Sequence, residues 1–300
     1  MYRYSNILVG VSAGESDDTL VRYAELVSFM AQSERVRFVH VAPSPTAFSD
    51  LYSDYAHSYS SAVSELDEHI DTLVGEKFVG PQGVSVSSEV VEGAPLAELL
   101  RITKEEDMDL LIVGRDQRGG TLAEKLARKA PCSVLIVPPE GPTVIEHVLV
   151  PVDFSSHAAD AVDVAVAFAE AAGLEEVHLL HVYDVPESYL KLGKTFEEFH
   201  ESVQQRAVER FDSFLEGIDL RGLRPVRHVV RGEDVPAAIH DQVDALDMDL
   251  VVVGTRGRSA SVAVLLGSVG EQVVRAARVP VVAVKRKGAT LGLLDALFDI

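Results

Sequence analysis

Residues 251–269 read VVVGTRGRSASVAVLLGSV, with glycines at 254 and 257 and a Gly267-Ser268 pair after nine further residues. An apolar β-forming run ends at Gly254, and helical spacing resumes at Gly267. Glycine lets a backbone come close to a bound group, or take φ > 0, without a Cβ penalty. A helix opening at Gly267-Ser268 directs its first amides and the positive end of its dipole at whatever lies before it. Ser268 adds a hydroxyl, and Arg256 and Arg258 add positive charge. The set sketches a cradle for an anion, phosphate above all. Taken alone, the same glycines read equally well as a turn followed by a helix start.

The elements that must position this stretch are written twice. NILVGVS (6–12) matches HVLVPVD (147–153), and RVRFVHVAP (35–43) matches EVHLLHVYD (176–184), both at an offset of 141 residues. EVVEGAPLAEL (89–99) is matched by HVVRGEDVPAAI (228–239), DMDLLIVG (107–114) by DMDLVVVG (247–254), and CSVLIVP (132–138) by VPVVAVK (279–285). Five apolar segments in one order, twice, mean duplication. Between them lie helical patterns. Residues 155–172 place Ala158, Val162, Ala165, Val166 and Ala169 on one face, with Asp153, Ser155 or Ser156 as the cap. Residues 194–216 do the same with Phe196, Phe199, Val203, Ala207, Phe211 and Phe214, and further helices are expected at 234–245 and 267–277.

Strands that alternate with helices and read as continuous apolar runs specify βαβ units around a parallel sheet. Right-handed crossovers then give an α/β chain of two doubly wound open parallel-sheet domains in tandem. The domains are expected at 1–140 and 145–287, split by PPEGPTVIE (138–146). A tail at 288–300 carries Leu291, Leu294, Leu297 and Ile300 on one face and is expected to dock on a neighbouring surface. In such sheets ligands bind beyond the carboxyl ends of the strands where strand order reverses, and Gly254 is the first residue past that edge.

The rest of the composition narrows the choice. Forty-seven acidic residues against 27 basic give a net charge of −20, which disfavours a nucleic-acid backbone as partner. No apolar stretch approaches the roughly 18 residues of a membrane span, and MYRYSNILVG lacks the layout of a signal peptide, so a cytoplasmic location is expected. The one cysteine, Cys132, reads as a small core or loop residue. No P-loop is present, and no G-x-G-x-x-G follows the first strand of either half.

Several constellations weaken on inspection. His178 and His181 are three apart on one strand and face opposite sides, which argues against a shared metal. His181 is matched by His40, as a structural histidine would be. His57 and His69, KEED (104–107) and DEHID (67–71) read as solvated helix faces. No nucleophile–base set falls on the strand ends, so no catalytic residue is assigned.

The pattern G-x2-G-x9-G-[ST] at Gly254, Gly257, Gly267 and Ser268 resembles the ATP-binding members of the universal stress protein (UspA) family. So do VLVPVDFS (148–155), LLHV (179–182) and VPVVAVKR (279–286). The resemblance covers the second half and, in weaker form, the first. It implies a tandem chain of Rossmann-like, adenine nucleotide alpha hydrolase-like domains. It also implies a site for ATP, with Mg²⁺ or Mn²⁺ as the cation that would accompany the phosphates. Adenine and ribose would lie against Pro151, Val152, Asp153, Val182 and Val253, with Asp153 as the polar contact. The phosphates would meet Gly254, Arg256, Gly257, Arg258, Gly267, Ser268 and Val269.

The first half departs from this pattern. It has Gly10 and Ser12 where the second has Pro151 and Asp153, and its loop from Gly114 to Gly120 is seven residues shorter, with Gln117 where a glycine is expected. Only the second domain is therefore expected to bind nucleotide. The resemblance further implies a stress-response regulator, paired internally through VLIV (134–137) and VVAV (281–284) and able to form a homodimer. A nucleotide-independent scaffold or chaperone-like protein, and a slow ATP hydrolase, are the alternative readings.

Overall fold

A computed structural model describes residues 4–14, 17–44, 56–115, 121–142, 144–184, 195–255 and 266–285. The chain divides into two compact units, the first built on residues 1–143 and the second on Val144–Val284. The first contains β1 (Asn6–Val11), α1 (Asp17–Ala31), β2 (Arg35–Ala42), α2 (Ala56–Lys77), β3 (Ser85–Glu92), α3 (Pro95–Glu105), β4 (Leu110–Gly114), α4 (Thr121–Lys129) and β5 (Ser133–Val137). The second contains β6 (Val148–Pro151), α5 (Ser156–Ala171), β7 (Glu176–Tyr183), α6 (Phe196–Leu215), β8 (Arg224–Arg231), α7 (Val235–Ala245), β9 (Leu250–Gly254), α8 (Ser268–Ala276) and β10 (Val281–Val284). The four helices expected in the second half are α5 to α8, each within two residues at either end.

Within the first unit the strands run parallel in the order β3-β2-β1-β4-β5. Within the second the order is β10-β9-β6-β7-β8, again parallel. Each is an open doubly wound sheet, and strand order reverses between β1 and β4 and between β6 and β9. The central strands are apolar because helices cover both faces. Ile7, Leu8, Val9, Leu110, Leu111 and Ile112 are fully buried, as are Val148, Leu149, Val150 and Val252. Each such side chain contributes about 1.5–3 kcal/mol by leaving water.

The duplication extends to backbone conformation. Positive φ recurs at Ala13 and Phe154, Gln32 and Gly173, Gly83 and Gly222, and Asp107 and Asp247. The repeated DMDL also acquires a reason. Its first Asp takes the left-handed turn that ends a helix, and Met108 and Met248 are buried. Its second Asp ties down the start of the neighbouring first strand: Asp109 Oδ2 accepts from Asn6 N at 2.9 Å, and Asp249 Oδ2 from His147 N at 2.9 Å.

One expectation changes. KEED and DEHID are not merely solvated. Glu106 pairs with Arg35 and Arg37, while Asp67 accepts from the Val90 amide at 3.0 Å and Asp71 from the Ser88 hydroxyl. These carboxylates bind helix termini and faces to strand β2 and the more exposed edge strand β3, where backbone, hydroxyl and arginine donors need acceptors. Cys132 is buried, and burial pushes its thiol up to about 12, which makes it a poor nucleophile.

Among the described residues no helix is long and apolar enough to cross a membrane. The tail at 288–300 lies outside the described residues.

Candidate functional site

The carboxyl ends of β6 and β9 lie at the reversal of strand order in the second unit. Their ladder is short: Val148 registers with Leu250 and Leu149 with Val251. The equivalent β1–β4 ladder runs on through Val9–Ile112 and Gly10–Val113. Pro151 closes β6 and has no N–H to donate, whereas Gly10 in the twin keeps its own. The strands therefore separate beside Val152, Asp153, Val253 and Gly254.

Val152 is pinned on both sides, its amide donating to Leu180 O at 2.7 Å and its carbonyl accepting from the His181 ring at 2.8 Å. His40 makes the same bond to Val11 O at 3.0 Å. A carbonyl can only accept, so the proton sits on Nδ1 in both rings. The pair is thus a repeated brace between adjacent strands, in line with the structural role expected. His178 lies on the opposite face of β7.

Beyond Val152 the chain turns sharply into α5. Asp153 Oδ1 accepts from Ser155 N at 3.0 Å, and Ser155 Oγ caps the helix by accepting from Ala158 N at 3.2 Å. Of the three residues expected as possible caps, Ser155 is the one used, and Asp153 stands half-buried one step earlier, at the strand end. Phe154, between them, has φ +64°. An aromatic residue in the left-handed region costs on the order of 1–3 kcal/mol. Its ring is held by His181, Phe211 and Phe214 at centroid distances of 4.5, 5.1 and 5.7 Å, with Arg210 4.3 Å over its face. That packing fixes the turn which aims Asp153, and sequence reading missed it. The signal was the Phe211/Phe214 spacing on α6 facing a lone Phe after the first strand.

Gly254 has a structural requirement beyond the close approach to a ligand that was expected of it. It does not take a left-handed φ, and a Cβ there would sit 2.7 Å from His157 O and 2.9 Å from His157 C. The first turn of α5 packs directly on the end of β9. At Gly114, the twin position, a Cβ would meet the Leu20 side chain alone, Cδ1 at 3.6 Å and Cδ2 at 3.9 Å.

Residues 256–265, with Arg256, Gly257 and Arg258, lie outside the described residues. Their two ends meet: Gly267 N donates to Thr255 O at 2.7 Å, and a Cβ on Gly270 would be 3.7 Å from Gly254 O. Gly267 is the N-cap of α8 and offers no side-chain acceptor to the first turn. Ser268 is exposed and Val269 half-buried. The first amides of α8 thus face the strand ends with no side-chain cap, an arrangement that favours an anion. Val182 lies one strand further out on β7, its Cγ1 3.1 Å from where a Gly232 Cβ would be. Pro151, Val152, Asp153, Val253, Gly254, Gly267, Ser268 and Val269 therefore gather at the ends of β6 and β9, with Val182 at the side.

The first unit fills the corresponding turn with its own carboxylate. Asp17, 1% exposed, accepts from Ser12 N and Ser12 Oγ at 3.0 Å and from Gly14 N at 3.1 Å. The twin position is Ala158. Three hydrogen bonds to a buried carboxylate make Asp17→Ala costly: about 3 kcal/mol should be lost from the first unit in urea denaturation. Gln117 and Gly120 lie outside the described residues.

This fold and this strand-end geometry define a tandem pair of Rossmann-like α/β domains, each with a topological switch point in its sheet. The chain belongs to the universal stress protein family, which it matches over residues 3–138 and again over 145–285. It is 30% identical to universal stress protein Rv2005c of Mycobacterium tuberculosis over 71% of this chain and 74% of that protein. It is 27% identical to a universal stress protein of Mycolicibacterium smegmatis over 93% and 96%. Among solved structures, a putative universal stress protein from Pseudomonas aeruginosa superposes with a TM-score of 0.65 at 20% identity, covering 100% of this chain and 99% of that one.

Proposed function

We propose that this chain is a stress-response regulator that binds ATP in its second domain alone, the first domain serving as a structural partner. The observation that carries this reading is the contrast between the twins at one place. The second has a proline-ended strand, a half-buried Asp153, and a long glycine loop closing on a helix with no side-chain cap. The first has a loop shorter by seven residues and a turn already satisfied by Asp17.

In the proposed complex Val152, Val182 and Val253 form the apolar walls for adenine. Asp153 accepts from a ribose hydroxyl, and the phosphates meet the backbone of Gly254, Gly257 and Gly267. Ser268, Val269, Arg256 and Arg258 complete the phosphate end. The hydroxyl of Ser268 and the phosphate oxygens are hard donors of the kind Mg²⁺ or Mn²⁺ accepts.

We also assign the chain, with its two domains at 1–140 and 145–287, to the cytoplasm, acting as a monomer or as a dimer of such chains. Nucleotide released by denaturing the purified chain, identified by mass, tests the reading. Adenine nucleotide is expected, and its absence together with no binding of added ATP would overturn it. A parallel turnover assay with Mg²⁺ or Mn²⁺ should give little or no phosphate release.

A further inference from the structure

On β7 and β8, away from the crevice just described, the second unit has replaced fixed charges by histidines. In the first unit Arg37 of β2 pairs with Glu89 of β3 and with Glu106. The ladders align Arg37 with His178 and Glu89 with His228, because Arg37 registers with Ser87 and His178 with Val226. The residue matching Glu106 is Leu246. An ion pair in one twin is thus a histidine pair in the other. His178 Nδ1 and His228 Nε2 are 3.0 Å apart, and the rings stack at 5.2 Å between centroids, 8° from parallel. His147, just before β6, lies edge-on to His178 at 6.0 Å.

We propose that the His178–His228 contact is a pH-sensitive clasp that holds edge strand β8 on β7 in the second domain only. A nitrogen-to-nitrogen hydrogen bond needs one ring to donate and the other to accept, so at least one imidazole must be neutral. When both are imidazolium, each nitrogen carries a proton and two like charges stand about 3 Å apart, so the contact must open.

The surrounding charges supply no counterweight from the strands themselves. Glu176 of β7 pairs with Arg224 of β8, and Arg227 pairs with Asp212 of α6. His147 faces Asp249 at 3.7 Å. On α7, packed against β7, Asp241 and Asp244 act on His240, and Asp244 pairs with Arg278. Burial lowers the pKa of both rings from the ordinary 6.5, and His228 and then His147 add to the effect on His178. A group harder to protonate in the folded chain leaves stability intact above pH 6.5 and drains it as pH falls through its folded value. Among the described residues no three His, Cys, Asp or Glu side chains are placed to hold a metal ion. The geometry points to proton control rather than to a cation.

Hydrogen exchange of the full chain at pH 7.5 and 5.5, corrected for intrinsic rates, tests this with an internal control. Protection over 224–231 should fall on acidification, by up to about tenfold for each of the two histidines because pH 5.5 lies one unit below the ordinary value, while protection over 85–92 holds. Equal loss in both strands, or none in β8, would overturn the proposal. Importing the twin's pair as His178→Arg with His228→Glu should flatten the response, and an unchanged response would count against it. Independently of that variant, NMR titration of the wild-type imidazoles should show coupled steps below the ordinary value. Separate titrations at 6.5, or a gain in protection on adding Zn²⁺, would also overturn it.

Discussion

Alanine at Gly254 is expected to destabilise the second domain by about 1–3 kcal/mol, while alanine at Gly114 is expected to be neutral or slightly stabilising. Both glycines end a fourth strand, and both precede a loop to the last helix. The difference is what a methyl group meets. At Gly254 it would lie 2.7 Å from the carbonyl oxygen of His157, a backbone atom in the first turn of α5 that cannot swing aside. Relief would require α5 to lift from β9 or β9 to shift in the sheet, and both would disturb Val164, Ala165 and Val252, which are all but completely buried. At Gly114 the methyl group would touch a leucine side chain at 3.6 Å, an ordinary contact. Removing a glycine's freedom from the unfolded chain there gains about 0.4–1 kcal/mol. Urea denaturation of the two variants, followed by circular dichroism, should place them on opposite sides of the parent chain. Equal effects would mean that helix α5 does not press on β9 as described.

The second large effect concerns ligand rather than stability. Cutting seven residues from the loop between Thr255 and Gly267, to the length its twin has, should leave the fold intact and weaken ATP binding about 100-fold or more. The first unit forms β4, α4 and β5 across the shorter connection, so the extra residues are not needed to turn the chain. Two or three amide or arginine contacts to phosphate, at about 1.5–3 kcal/mol each, account for a loss of that size. Gly257→Leu should act in the same direction if the proposed site is right, by filling the place where that site brings backbone to phosphate. Calorimetric titration reads the affinity, and the circular dichroism spectrum checks that the fold survives.

How far the sequence carried the reading depended on the kind of interaction. Strand and helix positions were legible because burial on both faces forces apolar runs, and duplication printed them twice. The separation of His178 from His181 followed from strand alternation alone. What sequence could not show was partnership across register. His228 meets His178 only because β7 and β8 pair as they do, and its distance of 50 residues along the chain gives no hint of that. Nothing in the sequence singles out Asp17 either, yet its carboxylate satisfies three donors of the turn before it. Phe154 carried a legible motif but not its left-handed backbone, which depends on aromatic packing from α6. Gly254 was legible as important, but its crowding against His157 was not, since that comes from a helix distant in sequence.

Titration of the full chain with ATP in a calorimeter bears most directly on the proposal that the nucleotide site belongs to one twin. One equivalent of ATP per chain is expected, with Gly257→Leu abolishing the heat and Asp17→Ala leaving it unchanged at a temperature where that variant stays folded. Two equivalents per chain, or full binding retained in Gly257→Leu, would contradict it.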